Sequence, residues 1–93
     1  MSQGLYILSI PGNYWKVGIA NDVYQRISQL QCGCPEKIDV VCFWDTEADG
    51  ISASKMEREL HLRLHPYRTS GEWFHASIDV ILPAAKEVWA KFR

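Results

Sequence analysis

The sequence has no apolar run approaching the roughly 18 residues that span a bilayer, and no basic-then-apolar leader stands at its start. The expectation is a soluble, cytoplasmic chain with no membrane association. Low-complexity stretches and repeats of solenoid period are also missing, which excludes linker-rich and stacked-repeat architectures. Surplus charge is small: 10 Lys and Arg against 11 Asp and Glu leave a net charge of −1. Many autonomous DNA binders are strongly basic because phosphate neutralisation supplies most non-specific affinity. Any nucleic-acid contact here must therefore rest on a local cluster, or on a protein partner that supplies specificity. The cysteines number only three, an odd count that makes a poor disulfide framework. Cys32-Gly33-Cys34 has the spacing of two metal ligands, but a structural zinc wants four and only Cys42 and distant histidines remain. The three thiols read as small, half-buried side chains.

What is present suits one globular domain over residues 1–93, with 47% hydrophobic and 23% charged residues. Leu5–Ile10 and Tyr14–Ile19 are β-prone runs separated by Pro11-Gly12-Asn13, the pattern of a hairpin. Asn21 and Asp22 offer side-chain oxygens to a helix start, and Val23, Ile27 and Leu30 recur on one helical face. Cys32–Pro35 ends that helix. Ile38–Trp44 reads as a third strand and Glu47–Gly50 as a polar loop. A second helix over Ser52–Leu64 has Ala53, Met56, Leu60 and Leu64 as its core stripe, and His65-Pro66 stops it. Gly71–Phe74 is a short extended segment, with Trp73 and Phe74 read as core and Glu72 as a candidate buried ion-pair partner rather than a catalyst. A last helix runs from about Asp79 to Phe92, with Ile81, Ala85, Val88 and Phe92 inward. The predicted fold class is α+β (α/β): a small three-stranded sheet covered by helices, in the order β-β-α-β-α-extended-α.

Five elements of this pattern resemble the GIY-YIG endonuclease superfamily, in its compact phage and bacterial branch. Gly4-Leu5-Tyr6 on the first strand is similar to GIY, and Lys16-Val17-Gly18 on the second to YIG, with lysine where tyrosine is usual. Arg26 follows in the first helix and Glu57 in the second, and Gly71-Glu72-Trp73-Phe74 comes later. Tyr6, Lys16 and Arg26 are spaced ten residues apart (16 − 6 and 26 − 16). The resemblance covers nearly the whole chain. It implies a metal-dependent nuclease with Tyr6, Lys16, Arg26 and Glu57 as catalytic residues and Mg2+ or Mn2+ on Glu57. No asparagine follows Asn21, so the late asparagine of many relatives is missing.

The residues themselves lead to the same four positions. If Ile10 pairs with Tyr14 across the turn, paired residue numbers sum to 24, which sets Tyr6 opposite Gly18 and Leu8 opposite Lys16. Side chains alternate between faces, so Tyr6, Tyr14 and Lys16 share one side, and Tyr6 and Lys16 are diagonal neighbours. Gly18 leaves open space beside the Tyr6 ring. Arg26 stands near a helix N-terminus, where free N–H groups favour an anion, and its planar fork suits phosphate. On the second helix Glu57 falls about 50° from the centre of the core stripe, at the margin where a cleft would lie. Glu59 falls about 110° away, with Lys55 and Arg63 as surface ion-pair partners. One carboxylate suffices for magnesium, which completes its shell with water and phosphate. Glu57, His61 and His65 form an i, i+4, i+8 row, yet it drifts round the helix and lacks the pattern of a zinc helix; local hydrogen bonding is the reading. His75 reads as surface.

The resulting expectation is an endonuclease that hydrolyses DNA, in preference to RNA. Tyr6 or Lys16 takes a proton from the attacking water while the other orients it, and Arg26 stabilises charge on the phosphate. Tyr14, Gly18 and His61 are read as substrate-contacting. The second reading is an inactive domain of the same fold that binds nucleic acid or a protein partner.

Overall fold

In the computed structural model, which describes residues 3–46 and 50–92, five antiparallel strands and three α-helices are formed. Strands β1 (Gly4–Ile10) and β2 (Tyr14–Ala20) make the hairpin. Its register is the expected one, with Ile10 opposite Tyr14, Leu8 opposite Lys16 and Tyr6 opposite Gly18. The three-residue turn holds because Gly12 and Asn13 take φ of 94° and 63°, a left-handed region that glycine and asparagine enter most readily.

Helix α1 (Val23–Cys32) starts at Asp22, whose carboxylate accepts the Gln25 N–H at 3.1 Å, and stops at Gly33. Strand β3 (Asp39–Trp44) begins one residue later than expected, because Ile38 is buried beneath α1 with its N–H bonded to the Gln31 side chain at 2.9 Å. Helix α2 (Ala53–Leu64) is capped by Ser52 and followed by a 3-10 turn over His65–Tyr67. Helix α3 (Ile78–Phe92) closes the chain. Most of the loop expected over Glu47–Gly50 lies outside the described residues.

The three-stranded expectation needs correction. Arg68–Ser70 (β4) and Trp73–His75 (β5) form a hairpin around Gly71 and extend the sheet to the order β3-β1-β2-β5-β4. Each has three residues, too few for alternation to register. In β4 all three are exposed and polar, so its sequence has no apolar signal. What seats β5 is a single buried side chain, Phe74, opposite Trp15 on β2.

Facing residues of an antiparallel pair share a face. Leu5, Ile7, Trp15, Val17 and Phe74 therefore point to one side, where Met56, Leu60 and Leu64 of α2 and Ile81, Ala85 and Val88 of α3 cover them. Tyr6 and Leu8 point to the other, beneath Val23, Ile27 and Leu30 of α1. The sheet is thus clad by two helices on one side and one on the other. Among the described residues no helix is long and apolar enough to cross a membrane.

Candidate active site

The site begins with the hairpin register. Tyr6 is only 1% exposed, and its ring lies across Gly18: a Cβ built on that glycine would fall 2.6 Å from the Tyr6 Cζ and closer still to the hydroxyl. A residue larger than glycine would displace the phenol, so Gly18 holds the room that Tyr6 occupies. Two positions along β2, Lys16 is almost buried as well. Its Nζ lies 3.2 Å from Glu72 Oε2 and 5.5 Å from the centre of the Trp73 ring. Trp73 is the β5 residue directly opposite Lys16, so pairing of the short fifth strand places both contacts.

The sheet breaks immediately beyond this point. Glu72 accepts the Val17 N–H through its backbone oxygen at 3.3 Å, and the paired residues of β5 begin only at Trp73. The Val17 carbonyl finds a side-chain partner instead: His61 of α2 donates its Nε2–H at 2.9 Å. That bond fixes the ring tautomer and sets His61 edge-on to Phe74, with ring centroids 5.3 Å apart. Among the described residues no strand pairs with Gly18–Ala20 on this side. The gap lets α2, on the opposite face, present a side chain toward the Tyr6 side.

Glu57, one turn before His61, stands at that gap. Burial pushes its carboxyl above the usual range, the neighbouring Glu72 carboxylate adds to the rise, and His61 and Lys16 partly offset it. It lines a groove of about 530 Å³ together with Arg58, His61, His65, Arg68 and Glu72. Glu59 has a different environment. Its Oε1 is held by Lys91 at 3.0 Å and Arg63 at 3.5 Å, which bring its carboxyl below the usual range, the Lys91 bond first. The expected partner Lys55 is replaced by Lys91, because α3 packs alongside α2 and brings its last turn to Glu59.

Arg26 stands in the first turn of α1, its N–H bonded to the Asp22 carbonyl at 3.1 Å. Its exposed guanidinium reaches Gln29 at 3.5 Å and lines a second groove of about 340 Å³ with Asn21, Asp22 and Gln25. Tyr6 links the parts. Burial raises its phenol above the ordinary tyrosine value, Arg26 pulls it back down, and Glu72 and Glu57 add to the rise. Arg26, Glu72 and Glu57 therefore act on Tyr6, and Glu72, His61 and Lys16 act on Glu57.

Two readings shift. Tyr14 shares the face but sits at the hairpin tip, about 14 Å from Gly18 at strand spacing, tilted against the exposed His75 ring with centroids 4.6 Å apart. It stands apart from the cluster. Trp73 is not core: it is half-buried beneath the Lys16 ammonium. Glu72 is the Lys16 ion-pair partner, but at 41% side-chain exposure it is open to the groove as well as to the lysine. No sequence signal announced this pairing, because it depends on the three-residue strand β5 that seats Trp73 opposite Lys16.

A small α+β domain with a polar cleft at a broken sheet edge is the class of protein that this geometry describes. A family model described as T5orf172 domain matches residues 3–89, and the chain belongs to that phage-associated, nuclease-type family. No curated protein and no solved structure matches it.

Proposed function

We propose that the protein is a metal-dependent endonuclease of the GIY-YIG kind that hydrolyses phosphodiesters of DNA in preference to RNA. One observation carries this reading: the Tyr6 hydroxyl is buried over Gly18 within reach of the charges of Arg26, Glu72 and Glu57, and Lys16 acts on Glu57 in turn.

The donors fit a hard divalent cation. Glu57 and Glu72 offer carboxylate oxygens at one groove, and the mutual charge that lifts the Glu57 carboxyl would be relieved by a cation between them. Among the described residues no three His, Cys, Asp or Glu converge as a cage, so protein oxygens would fill one or two positions and water the rest. Bound Mg2+ or Mn2+ supplies positive charge for the leaving oxygen.

The protein's own groups do the remainder. Arg26 offers its planar fork to the phosphate oxygens at the start of α1, where helix N–H groups also favour an anion. Lys16, held by Glu72 and the face of Trp73, acts as a fixed ammonium that orients the attacking water. Tyr6 is then the group that takes the proton. Only tyrosinate can do so, and because burial raises the phenol above its reference value of 10.0, that form grows with pH across the whole neutral range. The cleavage rate should climb from pH 6 to pH 9 without a plateau.

The test is incubation with supercoiled plasmid, with and without Mg2+ or Mn2+. Nicking that requires the metal, is lost in Glu57→Ala and survives in Glu59→Ala supports the proposal. Arg26→Lys should fall by about a hundredfold to a thousandfold, because an ammonium cannot replace the bidentate fork. Binding of DNA without nicking under any of these conditions would favour the inactive binding domain instead.

A further inference from the structure

Outside the cluster, on the same face of the sheet, lies an apolar groove of about 430 Å³ that the proposed chemistry does not use. It runs between the end of α1 and β5 and is lined by Gln29, Leu30, Cys34, Pro35, Ile38 and Trp73. Three observations tie it to the proposed site. The Trp73 wall is the ring that carries the Lys16 ammonium on its face, 5.5 Å from its centre. Gln29 lines both this groove and the one at Arg26. Gln29 also accepts a hydrogen bond from Arg26 at 3.5 Å, which sets that polar side chain where the two grooves meet.

A ligand held at Arg26 by its phosphate thus has an aromatic, apolar slot nearby with one amide at the rim. That pairing of charge and stacking surface matches a nucleotide whose base is free to leave its neighbours. Bases inside a duplex are stacked and paired, and reaching the slot would require unstacking them. We infer that the Trp73 groove takes an unpaired nucleobase next to the phosphate held at Arg26, which makes single-stranded or locally unpaired nucleic acid the substrate class. The inference rests on the proposed phosphodiesterase site, but it concerns binding and is tested without cleavage.

Binding of a fluorescently labelled single-stranded decanucleotide and of the matching duplex is measured in chelator, so that no metal-dependent cleavage enters. The single strand should bind at least tenfold more tightly. Trp73→Ala should weaken single-strand binding roughly tenfold or more, as loss of a stacking side chain does, while Trp73→Phe, which keeps a ring, should stay within a few-fold of the parent. A check that needs no change in the groove uses Cys34, whose thiol lines it. In a Cys32→Ser background, saturating decanucleotide should slow alkylation of Cys34 severalfold and leave Cys42 unaffected. Equal or tighter binding of the duplex, unchanged affinity in a folded Trp73→Ala, or undiminished Cys34 alkylation would each overturn the inference. Single-strand binding in a protein that never cleaves would sink the nuclease proposal and leave the groove assignment standing.

Discussion

The two faces of the sheet are built from alternate residues of the same strands, yet they do opposite work. On one face Leu5, Ile7, Val17 and Phe74 are at most 1% exposed beneath α2 and α3 and carry no polar side-chain atom. On the other, the strands alternate Tyr6 and Leu8 with Gly18 and Lys16, and the single helix α1 covers only part of them. Packing leaves little freedom on the first face, because a filled core penalises both removed and added atoms. The second face keeps a phenol, an ammonium and a glycine gap within one strand pair. On the proposed reading, strand residues for stability and for chemistry are separated by the period of two of a β-strand rather than by distance along the chain.

The largest effect that can break this division is core truncation. Leu60→Ala, on the doubly covered face, should cost about 2–5 kcal/mol, a large part of the stability of so small a domain. Activity per folded molecule should hardly change. Tyr6→Phe should do the reverse: the ring still fills its place, chemical denaturation shifts by about 1 kcal/mol or less, and the cleavage rate drops by roughly a hundredfold or more. Loss of stability in both variants with equal loss of rate would show that the faces are not separable.

A smaller effect sharpens the comparison through two glycines on neighbouring site strands, two register positions apart. Gly4 is shut in by the Phe43 ring and the Trp44 carbonyl, so an added methyl meets backbone that cannot turn aside. Gly18 is closed only by the Tyr6 ring tip. Gly4→Ala should therefore cost about 1–3 kcal/mol of stability by overpacking, seen in denaturant melts, and spare the chemistry of the folded fraction. Gly18→Ala should displace the phenol, lowering the rate more than the stability. In a Tyr6→Phe background, Gly18→Ala should reduce the rate little further, since the hydroxyl it would move is already gone.

Much of this arrangement was legible in the sequence, and the reason is local. The hairpin register follows from a three-residue turn and an alternating pattern, so Tyr6, Gly18 and Lys16 fall where expected. The helix start at Asp22 follows from a side-chain oxygen ahead of an apolar stripe, and the margin position of Glu57 from helical periodicity; Ser52, read as the first helical residue, is instead the cap of α2. What escaped depends on contacts far apart in sequence. Strands of three residues carry too little pattern to announce themselves, so Trp73 read as core and Glu72 had no assigned neighbour. The Lys91 partner of Glu59 required knowing that α3 returns alongside α2, which no local signal gives. The Tyr6–Lys16 relation was right in position, while its electrostatic surroundings were not legible: Glu72 answers the ammonium directly, and burial raises the phenol.

The smallest effect is a difference of sign between two glutamates two residues apart on α2. Burial and Glu72 raise the Glu57 carboxyl above its reference value of 4.5, so the folded protein keeps that proton to higher pH than the unfolded chain does. The contribution of Glu57 to stability is therefore greatest in acid, below the unfolded value, and is lost as pH rises through the folded one. Glu57→Gln cannot ionise, so in chelator it should melt higher than the parent at pH 7 and gain less at pH 4. Glu59 runs the other way. Its bond to Lys91 and the charge of Arg63 lower its carboxyl, so its contribution is present at neutral pH and disappears as pH falls through the folded value. Glu59→Gln should melt slightly lower than the parent at pH 7 and match it in acid. Opposite shifts at pH 7 would mark Glu57 as a group kept at a cost to the fold, as expected of a site carboxylate, and Glu59 as a surface tie between helices. The same sign in both would remove that distinction.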